Sequence, residues 1–134
     1  MVNQIRVHCE PGAADFALKL FGKQPTDGEM AGLAGALDGA TVAVSVRHSK
    51  GWLYLSVDDP ARFEAYETSI RQDLNGELYG YIHEVRVAAG QGGQGFGLRA
   101  FLRQVAAART IGLKRFELFA AGDPADTSSN GYYT

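Results

Sequence analysis

The feature that most constrains this chain is the stretch 85–102. Val85-Arg-Val-Ala-Ala runs into Gly90-Gln-Gly-Gly-Gln-Gly95-Phe-Gly97, and then into an amphipathic segment with Leu98, Phe101 and Leu102. An extended run, a glycine-rich turn and a helix in direct succession make half of a crossover unit. The near-continuous apolar run at 113–120 completes it, so the two strands should lie parallel with the helix between them. Glycines let the backbone take positive φ and bring a ligand close to bare amides. The first N–H groups of a helix lack intrahelical partners, and the macrodipole concentrates positive potential there. The turn therefore predicts an anion site, suited to a phosphate or pyrophosphate.

Upstream, the apolar period changes twice. Residues 4–9 alternate, with Ile5, Val7 and Cys9 on one face of a first strand. Pro11-Gly12 ends it. A short helix is expected over 13–21, carrying Phe16, Ala17 and Leu20. Thr26 and Glu29 have capping-box spacing and open a second helix with Met30, Leu33, Ala34 and Leu37, stopping at Gly39. Then the period falls to two. Val42, Val44 and Val46 share a strand face, His48 to Gly51 turns the chain, and 52–57 returns. Residues 62–72 read as a third β segment, although Phe63-Glu-Ala-Tyr66 also suits a helix start. Asn75-Gly76 signals a hairpin into 77–87, where Tyr79, Tyr81, His83, Val85 and Val87 would share one face. The central helix, 95–110, carries an apolar stripe of Leu98, Phe101, Leu102, Val105 and Ala108. The expectation is a single α/β (α+β) domain over 1–134. Its mixed, mostly antiparallel twisted sheet is accompanied by a helical hairpin and a central helix.

Composition narrows the function classes. With 134 residues, 46% hydrophobic and 21% charged, the chain can bury a real core. A net charge of −2 argues against a general nucleic-acid binder. No apolar run approaches the roughly 20 residues that span a bilayer, so no membrane partner is expected. Cys9 is the single cysteine and His8, His48 and His83 are scattered, which excludes a cysteine-based zinc site and offers no metal ligand set. A reducing, cytoplasmic setting fits. Residues 95–116 hold five basic side chains and no acid, a positive field around the central helix. Arg99 and Arg103, one turn apart, are candidates to meet a polyphosphate, beside the plainer reading of a solvated helix face.

Gly90 to Gly95 matches the dinucleotide pattern G-x-G-x-x-G. That fingerprint belongs in a first βαβ unit, whereas about 80 residues of largely antiparallel pattern precede this one. A nucleotide binder therefore stays a weaker reading. The absence of Gly-Lys-Ser/Thr excludes a Walker A loop. The turn in its frame after Val87 resembles the acetyl-CoA loop of the GNAT-type N-acetyltransferase superfamily, Gln/Arg-x-x-Gly-x-Gly/Ala, with Gly95-Phe-Gly97 as its second half. The helical hairpin, the meander and the strand at 115–120 resemble the family's order.

The resemblance implies acetyl-CoA as co-substrate, held at the pyrophosphate by the amides of Gly93, Gln94, Gly95, Phe96 and Gly97, and along the pantetheine arm by the backbone of Val85, Arg86 and Val87. Gly92 stands where the family has Gln or Arg, and Gln91 or Gln94 are the substitutes. Asn130-Gly-Tyr-Tyr133 resembles the family's last helix, whose following strand would fall beyond Thr134. A homo-oligomer covering the exposed sheet edge is expected.

Acetyl transfer to an amine needs a base for the amine proton, a donor at the carbonyl oxygen and a proton for the departing thiolate. Glu84 is the candidate base. His83 falls on the opposite face of a regular strand, though a β-bulge would blur the alternation. Tyr133 is the candidate acid by its match to the family's tyrosine, with Tyr132 second. The N–H of Val87 is the candidate carbonyl donor. Trp52, Tyr54, Tyr66, Tyr79 and Tyr81 are candidates to line a pocket for a small-molecule or peptide amine. The alternative is a non-catalytic, degenerate GNAT-like interaction module with weak or no CoA binding.

Overall fold

The computed structural model describes residues 5–39 and 42–118. Six strands form one sheet in the order β1 (Arg6–Cys9), β2 (Ala43–Ser49), β3 (Trp52–Asp58), β4 (Phe63–Gln72), β5 (Leu78–Val87) and β6 (Arg115–Leu118). The four central strands run antiparallel in sequence order, and the outer pairs β1–β2 and β5–β6 are parallel. Two helices, α1 (Ala13–Phe21) and α2 (Asp27–Ala34), bridge the first parallel pair. The long helix α3 (Phe96–Ile111) bridges the second. The sheet is therefore mixed and mostly antiparallel, as expected from the change of period and the crossover unit. No helix among the described residues is long and apolar enough to cross a membrane.

All three helices lie on one face of the sheet. That inner face is built by Val44 and Val46, Leu53 and Leu55, Tyr66, Thr68 and Ile70, and Ile82, all buried. Their alternation with Ser45, Tyr54, Glu67 and Ser69 settles 62–72 as a strand; its every second side chain is needed in the core. Gln104 of α3 is fully buried among them. Its amide donates to Leu33 O of α2 and Thr68 Oγ1, each at 2.9 Å, and its Oε1 accepts from Tyr66 Oη at 2.6 Å. This network ties α2, α3 and β4 together and leaves none of the polar atoms unpaired.

The chain's own capping chemistry positions the helices. The Thr26–Glu29 capping box forms in full. However, α2 stops at Gly35, which takes φ 85 as the left-handed cap, four residues before the expected Gly39. The 49–52 hairpin turns on Lys50 and Gly51, both at positive φ. The 73–77 turn is longer than a two-residue Asn-Gly hairpin. Asp73 Oδ1 accepts from the amides of Asn75 and Glu77, and Gly76 takes the left-handed position.

Two expectations about faces are corrected. The buried stripe of α3 is Ala100, Phe101, Gln104, Ala108 and Ile111, whereas Leu98 and Leu102 are 53% and 56% exposed. The helix is rotated because Gln104, a polar residue, belongs inside. In β5, Thr68 pairs with Ile82 while Glu67 pairs with Glu84, so His83 is an extra residue: a β-bulge. Tyr79, Tyr81 and His83 consequently share the outer face, while Val85 and Val87 pack inward against the core. The five do not lie on one face.

Candidate functional site

The glycine turn leaves β5 at Val87 and enters α3 at Phe96. Ala88 continues the ladder, donating its N–H to Arg62 O at 2.9 Å, and Gln91 N–H closes a turn on Ala88 O. Gly90, Gly93 and Gly95 all take positive φ, and Gly95 is the left-handed N-cap of α3, with no side chain capping the helix. The first intrahelical bond runs from Arg99 N–H to Gly95 O. The amides of Phe96, Gly97 and Leu98 precede that bond and have no intrahelical acceptor. The first turn of α3 carries no acidic residue to neutralise the dipole. A Cβ placed at Gly92, Gly93 or Gly95 would meet nothing within 4 Å, so the space beside the amides is open. At Gly97 it would stand 3.8 Å from Val85 Cγ1, which shows how closely the helix start approaches the strand.

The segment Val85, Arg86, Val87 ends β5 just before the turn. Among the described residues, β6 pairs with β5 only over 79–82. Positions 84–87 are paired with β4. Because the N–H of Ala88 turns to β4, strand alternation directs that of Val87 away from β4. Arg86 is exposed and holds two carboxylates, Glu84 at 2.9 Å and Glu64 at 3.5 Å. Glu84, half-buried, is thus placed beside the turn but engaged by Arg86.

Of the other expected residues, Tyr132 and Tyr133 lie outside the described residues. Tyr66 is buried beneath α3, its hydroxyl donating to Gln104 Oε1. Arg103 is held bidentate by Asp38 at 2.7 and 2.9 Å, and Arg99 lies over the Phe96 ring. Arg62, Arg99 and Arg103 border a cavity of about 440 Å³ beside the helix start, in which Asp59 and Asp38 answer two of the three guanidinium groups.

Trp52, Tyr54, Tyr79 and Tyr81 gather on the outer face with arginines that sequence reasoning missed. Arg71 lies over Trp52 and Tyr81, Arg47 over Tyr54, and Arg115 over Tyr79. The signal was their period: Arg47, Arg71 and Arg115 sit at outward positions of three strands. His83 joins this group, its Nε2 2.8 Å from Ser69 Oγ. Burial, reinforced by the Arg71 charge, holds its imidazole below the ordinary value and so neutral near pH 7. No three His, Cys, Asp or Glu side chains gather among the described residues to hold a metal.

No family model and no curated protein matches the chain. Among solved structures it is similar to an aminoglycoside acetyltransferase from an uncultured soil metagenomic sample, at 10% identity and a TM-score of 0.48 over 87% of this chain and 71% of that one. A transcriptional regulator from Bacillus halodurans C-125 is similar at 17% identity and 0.46, over 60% of this chain and 54% of that one. A glucosamine-6-phosphate N-acetyltransferase from Arabidopsis thaliana is similar at 13% and 0.42, over 52% and 51%. The chain spans about half the length of the last two. Likenesses this distant decide nothing about chemistry. The element order, the mixed sheet and the glycine turn between a strand and the central helix agree with the fold that the resemblance to the GNAT-type superfamily implies.

Proposed function

We propose that the chain transfers an acetyl group from acetyl-CoA to a primary amine by direct attack. The observation that carries this reading is the open glycine turn at 92–95, leading into a helix whose first amides have no intrahelical acceptor and whose first turn holds no acid. A pyrophosphate has the acceptors and the charge that such a turn lacks. Gly93, Gln94, Gly95, Phe96 and Gly97 would hold it, and Val85, Arg86 and Val87 would pair their backbone with the pantetheine arm on the side of the strand that faces away from β4. Bound acetyl-CoA supplies the thioester: the amine nitrogen forms a C–N bond to its carbonyl carbon, the C–S bond breaks, CoA leaves as the thiolate and the nitrogen loses one proton. Glu84 takes that proton, directly or through water. The N–H of Val87 polarises the carbonyl oxygen.

One observation favours the rival reading of a non-catalytic module: the Glu84 carboxylate is already engaged by Arg86. Calorimetric titration with acetyl-CoA, with NAD and ATP as controls, tests the site. Saturable binding of acetyl-CoA alone is expected. Gly92→Asp should weaken it roughly tenfold or more by placing a carboxylate beside the phosphates. Gly92 has an ordinary φ and open space around it, so the fold tolerates the change. Undiminished affinity in that variant would remove the turn from the site. Glu84→Gln should slow turnover by about 100-fold while acetyl-CoA still binds; a full rate would remove Glu84 from the chemistry.

A further inference from the structure

Among the described residues, the outer face of the sheet carries guanidinium groups that no carboxylate answers, two of them, Arg47 and Arg71, stacked on its aromatic rings. Arg62, Arg86, Arg103 and Arg115 each hold an Asp or Glu. Arg47 and Arg71 have none within ion-pair distance among the described residues. Arg71 is nonetheless the most tightly held of all. Its Cζ lies 3.6 Å from the Trp52 ring centroid and 4.2 Å from that of Tyr81. Its Nε donates to Ser69 Oγ at 2.9 Å, and its Nη2 lies 3.4 Å from His83 Nε2. Ser69 is fully buried beneath these side chains although it faces away from the helices. A guanidinium fixed in this way keeps N–H donors free in one plane, the geometry that takes a carboxylate by two bonds.

Two residues along β4 from Ser69, Glu67 points to the same face. Its carboxylate accepts from Ser56 Oγ at 3.1 Å and has no lysine or arginine within ion-pair distance among the described residues. A strand rises about 3.3 Å per residue, so the two positions stand roughly 7 Å apart. Glu67 is also the register partner of Glu84.

We infer that this face is the acceptor subsite and selects a small amine that also carries a carboxylate. Arg71, flanked by Arg47, takes the anionic end; Glu67 takes the ammonium end and delivers it beside Glu84; the aromatic rings pack the carbon chain. The inference rests on the acetyl-transfer reading for the fate of the amine, but the binding it describes needs no cofactor.

The test is calorimetry on the full chain without acetyl-CoA. β-Alanine and γ-aminobutyrate are compared with propylamine and butylamine, which lack only the carboxylate. The amino acids should bind at least tenfold tighter than their matched amines. Arg71→Gln should erase that ratio, and Arg71→Lys, which keeps the charge but loses the planar donors, should recover only part of it. Should Arg71→Gln fail to fold, Arg47→Gln tests the same clamp and should lower the ratio. Equal affinity within each matched pair, binding of neither series, or a ratio unchanged in folded variants would each overturn the inference. Amino-acid binding by a chain that ignores acetyl-CoA would instead sink the transfer reading and leave this subsite standing.

Discussion

Gly80 stands where the Phe116 ring of β6 crosses β5. A Cβ there would clash with the Cδ1 and Cε1 atoms of that ring. The ring is held in turn by Phe101 of α3, at 5.8 Å between centroids, so it has little room to yield. Gly80→Ala should cost about 1–3 kcal/mol by overpacking, read as a lowered midpoint in chemical denaturation; an unchanged midpoint would mean the ring moves freely. Nothing in the local sequence singles out Gly80, since the contact joins residues 36 positions apart. Gln104 was hidden for a related reason. A polar residue inside an amphipathic helix reads as solvent-facing until its partners on two other elements are known, and missing it turned α3 by one position. Glycines of the turn were legible because their reason is local: positive φ and close approach.

At the scale of elements, what was legible follows the reach of the signal. The capping box, the helix over 13–21 and the hairpin at 49–52 are set by neighbours a few residues apart. The bulge at His83 is not, because an extra residue in a strand shows only against its partner strand. It matters most, since it separates the half of β5 that feeds the outer face from the half that feeds the glycine turn. His83 also gives a pH dependence. Its imidazole titrates below the ordinary value in the folded chain, first through burial and then through Arg71. Below about pH 6.5 the unfolded chain therefore binds more protons, so stability falls as pH drops from there. The carboxylates held low, Asp73 and Glu29, act only in more acid solution. Thermal midpoints should decline between about pH 7 and pH 5, and His83→Gln should flatten that decline. A variant that loses as much stability over the same window would clear His83.

The described residues make an antiparallel centre with a parallel strand on each flank. Connection lengths made this legible: short turns joined the middle strands, and helices joined the rest. The catalytic assignment was less so. Tyr133 lies outside the described residues, and the outer arginines reveal themselves only when three strands are set side by side. Native-state hydrogen exchange should mirror the architecture, with amides of β3 and β4 opening last and those of the four-residue strands β1 and β6 first. Equal protection of β3 and β6 would contradict it.

The mixed sheet also orders events in time. The strands β2 to β5 meet through turns of a few residues, so they can zip as one local unit. Each flanking strand must wait for its crossover helix to dock. The glycine turn belongs to the later step, since it takes shape only when α3 lies down and β6 pairs with β5. An anion seated on that turn would then act as a latch on the slowest part of the fold. It should slow the escape of α3 and β6 while leaving the breathing of the meander untouched.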